Sequence, residues 1–244
     1  MTVQDDERER ELVRIFNLAW DPDHQRSGVD AVLGIDIAGR NYYFEVEVKS
    51  STGSTVSTAR DVGMEHIRKW RRKMFVVGFY SKEPRRPELQ RCLCLTPVDM
   101  EPWIASVENK IAIDYTLATM AARKLELDDL FQVCTEQSTY SIEDAKRLHK
   151  LQWTNKQYVD AQDVVENGKR RISQQAMLKI LRLRSKYIAE RGATLNNPHV
   201  TKAHLDLFYG SSREVKGPNW ALSIRNIAVE FASTFPTHPA IFLK

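Results

Sequence analysis

The sequence holds only three cysteines, Cys92, Cys94 and Cys134, and no C-x-x-C pair. That excludes a disulfide framework and a thiolate zinc site, and it points to a reducing, cytoplasmic setting. No apolar run approaches the roughly 20 residues that span a bilayer, and the mean hydropathy is −0.45, so no membrane partner is expected. The opening Met1-Thr2-Val3-Gln4-Asp5-Asp6-Glu7 lacks the basic and apolar stretches of a secretory signal. No G-x-x-x-x-G-K-[ST] loop occurs, which argues against a nucleotide cofactor. The six histidines show no zinc-type spacing.

What is present is enough for a folded core: 244 residues, 42% of them hydrophobic. The 36 Lys and Arg exceed the 32 Asp and Glu by only four, but they are unevenly spread. Residues 169–191 hold eight bases against Glu190 alone, and residues 60–73 hold six against Asp61 and Glu65. Such clusters suit a polyanion. Arg60, Arg68 and Lys69 in 60–73, and Lys179, Arg182 and Lys186 in 169–191, are the candidate polyanion-binding side chains.

Apolar spacing of three and four predicts a first helix over 5–19. Strand patterns follow at 29–37 and 42–49, then a helix over 59–72 with Thr58 and Asp61 as its capping pair. Residues 74–80 are apolar on both faces, which reads as a central buried strand, and 89–95 as another. Thr96, Pro97 and Asp99 then open a helix. Beyond about residue 130 the pattern turns mainly helical, with a basic helix over 173–190 ended by Gly192, and a turn and further helix that faintly suggest helix-turn-helix. The expected fold is α/β: a central mixed β-sheet flanked by helices, with a mainly helical C-terminal half. The expected division is 1–130 as an α/β core and 131–244 as a mainly helical region, separate from it or continuous with it.

The 29–49 hairpin carries the chemistry. A two-residue turn at Gly39-Arg40 would pair Asp30 with Lys49, Val32 with Glu47 and Asp36 with Tyr43. Alternation then puts Asp30, Asp36, Glu45, Glu47 and Lys49 on one face, and Val29, Ala31, Leu33, Ile35, Phe44, Val46 and Val48 on the other. Asp30 and Glu47 would lie roughly 5–8 Å apart. Two carboxylates with a backbone carbonyl are hard oxygen donors suited to Mg²⁺. A neighbouring lysine could hold a water or stabilise charge on a phosphate.

Gly28-Val29-Asp30, a hairpin, and then Phe44-Glu45-Val46-Glu47-Val48-Lys49 resemble the active-site signature of the PD-(D/E)XK nuclease superfamily, with Val29 where the proline usually stands. The acidic residue precedes the Glu-x-Lys by 17 positions. Glu45 competes with Glu47, but only Glu47 lies two residues before Lys49. The resemblance covers about residues 5–100 and looks most like a type II restriction endonuclease. It implies Asp30, Glu47 and Lys49 as catalytic residues, and Mg²⁺ held by Asp30, Glu47 and the Val48 carbonyl. An N-terminal helix glutamate sometimes joins such sites, a place Glu7 or Glu11 could take, and Asp36, toward the far end of the hairpin, is the weaker metal candidate. The resemblance makes 1–130 the catalytic core and 131–244 the region for DNA recognition and dimerisation, with the six basic side chains named above as DNA contacts. The partner it implies is double-stranded DNA cut at a short specific site by a homodimer, whose surface could be Trp220, Ile224, Ile227 and Phe231. The rival readings are a non-catalytic sequence-specific DNA-binding regulator and a structure-specific nuclease such as a junction resolvase.

Overall fold

The computed structural model describes residues 3–20, 30–83, 87–210 and 212–243. In chain order the elements are α1 (Val3–Ile15), β1 (Ala31–Ile37), β2 (Arg40–Ser51), β3 (Thr55–Ser57), α2 (Met64–Trp70), β4 (Lys73–Tyr80), β5 (Leu89–Leu95) and α3 (Pro97–Arg123). There follow α4 (Leu127–Val133), β6 (Thr139–Tyr140), α5 (Ile142–His149), α6 (Asn155–Asp160), β7 (Val164–Glu166), β8 (Lys169–Ser173) and α7 (Gln174–Gly192). The last are β9 (His199–Thr201), α8 (Lys202–Tyr209), β10 (Glu214–Val215), α9 (Trp220–Thr234) and β11 (Phe242–Leu243). No helix among the described residues is long and apolar enough to cross a membrane.

Two compact units form, one from residues 1–109 with 195–244 and one from 110–194. The division therefore does not fall at 130, because the last 50 residues return to the first unit. The first unit is α/β, as expected. Its main sheet runs β1-β2-β4-β5-β10, with β11 pairing on β2. The β2–β4 pair is parallel and the others antiparallel, so the sheet is mixed.

The apolar set expected of the hairpin forms the core where it is described; Val29 lies outside the described residues. Ala31, Leu33, Ile35, Phe44, Val46 and Val48 are buried, with Leu12 and Phe16 of α1 and Ile224, Ala228 and Phe231 of α9 packed over them. Strand β4 is buried along its whole length, as a strand apolar on both faces requires. On the opposite face α2 packs on β4, and Trp70 meets Trp103 of α3 with ring centroids 5.1 Å apart. Thr96 caps α3 as the sequence indicates: its hydroxyl accepts from the Asp99 amide and its own amide donates to the Asp99 carboxylate.

Three local expectations are corrected. The hairpin turn is Ala38-Gly39, with φ of 53° and 78°, the type I′ geometry that matches strand twist; Asp36 Oδ1 accepts from the Gly39 amide and braces it. Helix α2 starts at Met64, because Val62 pairs with Leu195 and Thr58 turns its hydroxyl to the Pro198 carbonyl. Between α7 and α8 lies β9, paired with β3, which rules out a helix-turn-helix there; Gly192 is the last residue of α7, and Ala193 closes it in αR geometry.

The second unit is not purely helical. It contains the sheet β6-β8-β7 and its own core of Leu130, Tyr140, Ala145, Tyr158, Ile172, Met177, Leu178, Ile180 and Leu181. Helix α7 buries Met177 and Leu181, but Ile188, expected on the same stripe, is exposed.

Candidate active site

The true register pairs Ala31 with Val46 and Ile37 with Arg40. This is a slip of two residues from a Gly39-Arg40 turn. Because strand faces repeat every two residues, the slip moves no side chain to the wrong face. It does change neighbours: continuing the register by one step brings Asp30 opposite Glu47 instead of Lys49.

The parallel pairing with β4 completes the face. Glu45 stands beside Lys73, Glu47 beside Phe75 and Lys49 beside Val77. Side chains of paired residues share a face, so Lys73, at the mouth of β4, joins the polar row of β2.

The charged side chains converge. Lys49 Nζ lies 3.2 Å from Asp30 Oδ2 and 2.9 Å from Glu47 Oε1. Lys73 Nζ donates to Glu47 Oε2 at 2.7 Å. The Val48 amide donates to Asp30 Oδ2 at 3.0 Å, fixing that carboxylate against β2. Glu47 and Lys49 are each 8% exposed and Lys73 4%, whereas the Asp30 side chain retains 20%. The cluster therefore opens on its Asp30 side.

Burial alone would raise the Glu47 carboxyl; the charges and hydrogen bonds of Lys49 and Lys73 outweigh it and hold the group at about 2. Burial would lower the Lys49 ammonium, but Glu47, Asp30 and Glu9 outweigh that and raise it above the ordinary lysine range. Lys49 is thus a fixed cation at neutral pH. It can donate hydrogen bonds and stabilise negative charge, but it cannot serve as a general base.

The sequence-derived triad Asp30, Glu47 and Lys49 is brought together, with Val48 between its two β2 members. Glu45 stays off the cluster, and Asp36 braces the hairpin turn. Neither Glu7 nor Glu11 joins it: Glu7 is exposed, and Glu11 accepts from the Tyr80 hydroxyl. The α1 carboxylate that acts on Lys49 is Glu9. Lys73 was legible only as one more base in a basic run; the usable signal was a lysine opening an otherwise apolar buried strand.

The basic clusters are less free than their charge suggests. In 60–73, Arg71 is bound by Glu101 and Glu108, Arg72 donates to the Pro239 carbonyl, and Lys73 is buried on Glu47. Arg60, Arg68 and Lys69 remain on the surface, the last beside Glu65 at 3.1 Å. In the second unit Lys179 is exposed and Lys186 sits 3.5 Å from Glu190. Arg182 is not an outward phosphate ligand: its guanidinium donates twice to the Leu125 carbonyl, at 2.7 and 3.0 Å. The α9 residues expected at a dimer surface are also taken, since Ile224 and Phe231 lie in the sheet core, with Trp220 and Ile227 packed against it.

Among the described residues no group of three or more Asp, Glu, His or Cys gathers in a way that could hold a metal ion. Asp30 and Glu47 are nevertheless two carboxylates bridged by one cation. That donor set fits a divalent ion such as Mg²⁺, which is commonly bound through one or two carboxylates and keeps several waters. Compared with known proteins, the chain matches no family model and no curated protein.

Proposed function

We propose that the protein is a Mg²⁺-dependent endonuclease that hydrolyses phosphodiester bonds in double-stranded DNA at a short specific sequence, as a type II restriction enzyme does. The observation that carries this reading is the single ammonium of Lys49 shared by Asp30, the residue before β1, and Glu47 of β2. Asp30, Glu47 and the Val48 carbonyl would hold Mg²⁺, which supplies Lewis acidity and acidifies a bound water. Lys49, permanently charged, orients the attacking water by hydrogen bonding and offsets the negative charge that builds on the phosphate. The Val48 amide keeps Asp30 in place. One chain offers one such cluster and a duplex has two strands, so a two-fold homodimer is the form that cuts both.

One observation favours the non-catalytic DNA-binding alternative: both Glu47 oxygens are engaged by ammonium groups, which suits a self-sufficient structural network. Incubation of the protein with unmethylated phage DNA separates the readings. Discrete Mg²⁺-dependent bands, lost in Asp30→Asn and Glu47→Gln variants that still bind DNA, are expected. Binding without cleavage under any divalent ion would leave the regulator, and cutting of branched DNA regardless of sequence would mean a junction resolvase.

A further inference from the structure

Six residues beyond Lys49 the chain forms a second, smaller piece of sheet. Strand β3 pairs antiparallel with β9 in a fixed register: Thr55 with Thr201, Val56 with Val200, and Ser57 with His199. The alternation is strict. Val56 and Val200 are buried, while Thr55, Ser57, His199 and Thr201 are all exposed. The ribbon thus anchors itself through one apolar pair and presents two polar pairs outward. Ser57 Oγ lies 3.4 Å from His199 Nδ1 on that outer face.

The ribbon is held firmly from behind. Ser51, two residues past Lys49, donates its hydroxyl to the Thr55 carbonyl at 2.6 Å. The Lys202 amide donates to the Ser54 carbonyl, Thr58 donates to the Pro198 carbonyl, and the Trp103 indole donates to the His199 carbonyl. These bonds tie the ribbon to the end of β2 and to α3, so its outer face keeps a set relation to the Asp30–Glu47–Lys49 cluster. Its charge is also selective. Residues 50–60 and 195–202 contain no acidic residue but include Arg60, His199 and Lys202, in a chain with 32 acids.

We infer that the outer face of the β3–β9 ribbon reads base edges of duplex DNA, with Thr55, Ser57 and His199 as specificity-determining side chains, while the Thr201 hydroxyl caps α8 by accepting from the His204 amide. The inference rests on the DNA reading of the preceding section and deepens it. A two-stranded ribbon fits the roughly 12 Å major groove. Hydroxyl and imidazole groups both donate and accept, as the mixed donor and acceptor pattern of base edges demands. The absence of carboxylates lets the ribbon approach phosphates without repulsion, and Arg60 and Lys202 flank it as backbone contacts.

The test offers a randomised duplex pool, with Ca²⁺ in place of Mg²⁺, to the protein and to two variants, Ser57→Ala/His199→Ala and Thr55→Ala. Thr55, Ser57 and His199 are exposed, so unfolding midpoints should match wild type. Wild type should enrich one motif. Each variant should lose preference at one or two positions by roughly tenfold while keeping the others and its non-specific affinity. Retention of the same motif with the same weights by both variants would overturn the inference, as would a wild-type protein that enriches no motif. Motif loss in the variants of a protein that never cuts in Mg²⁺ would sink the nuclease reading and leave this one standing.

Discussion

Lys73→Met tests the buried charge cluster apart from any catalysis. Lys73 is 4% exposed and its ammonium lies 2.7 Å from Glu47 Oε2. Removing one partner of a buried pair costs about 3–5 kcal/mol when the other charge is left alone. Glu47 keeps Lys49 at 2.9 Å, so the expected loss is smaller, about 2 kcal/mol at pH 7. Glu47→Gln strands the Lys73 ammonium, and should cost about 3 kcal/mol. The double variant strands neither, and should cost less than the two singles combined by about 2 kcal/mol. Acid supplies a second axis. Glu47 is held at about 2 against an ordinary 4.5, so its folded form binds protons less readily than its unfolded form. The associated stabilisation, about 3 kcal/mol, is complete above pH 4.5 and lost as pH falls toward 2. The gap between wild type and Lys73→Met should therefore narrow over that window. Urea unfolding at pH 7, 5, 4 and 3, followed by tryptophan fluorescence, measures all of this. A Lys73→Met loss below about 0.5 kcal/mol, or a gap that stays constant down to pH 3, would refute the reasoning.

His149 is buried against Trp153 and Tyr158, and its Nδ1 has no hydrogen-bond partner. Burial, assisted by Arg184, lowers its proton affinity, so the unfolded chain takes up the proton first as pH falls through about 6.5. Stability of the second unit should decline below that pH, and His149→Phe should flatten the slope in thermal melts at pH 5 and 7.5; an equal slope in both proteins would remove His149 as the cause. A Cβ added at Gly78 would come within 2.9 Å of both Leu12 methyl carbons, so Gly78→Ala should cost about 1–3 kcal/mol through overpacking beneath α1. Denaturant midpoints check this, and because Leu12→Ala makes room for the added methyl, Gly78→Ala/Leu12→Ala should cost less than the two single variants combined.

The apolar pattern made the first unit legible because its strands obey simple periods. Alternation in 29–49 named both faces of the hairpin, and the doubly apolar 74–80 named the central strand. The turn was misplaced by one residue because Gly39-Arg40 and Ala38-Gly39 are both plausible two-residue loops, and only strand twist selects the one with two positive φ values. The site survived that error because an even slip conserves faces. Lys73 and Glu9 were missed for a different reason: a parallel pairing and a helix docking bring them in, and the one local trace is a lysine opening the apolar β4. The second unit shows the opposite failure. Asn167-Gly168, with φ of 50° and 73°, is a strong hairpin signal beside Val164-Val165, yet the surrounding helical pattern concealed β7 and β8. Charge runs were the least faithful guide, since Arg71, Arg72, Lys73 and Arg182 are spent on internal partners.

The return of residues 195–244 to the first unit sets an order of events during synthesis. Asp30, Glu47 and Lys49 leave the ribosome well before α9, whose Ile224, Ala228 and Phe231 form part of the apolar cover of the sheet that holds them. About 180 residues separate Lys49 from Phe231, which at roughly 5–20 residues per second is about 10–40 s of translation. Throughout that interval the charged row lacks a finished scaffold. A nascent chain cannot finish the core behind its candidate catalytic cluster before α9 has been made, and a message broken anywhere upstream of α9 yields a polypeptide whose sheet lacks that cover.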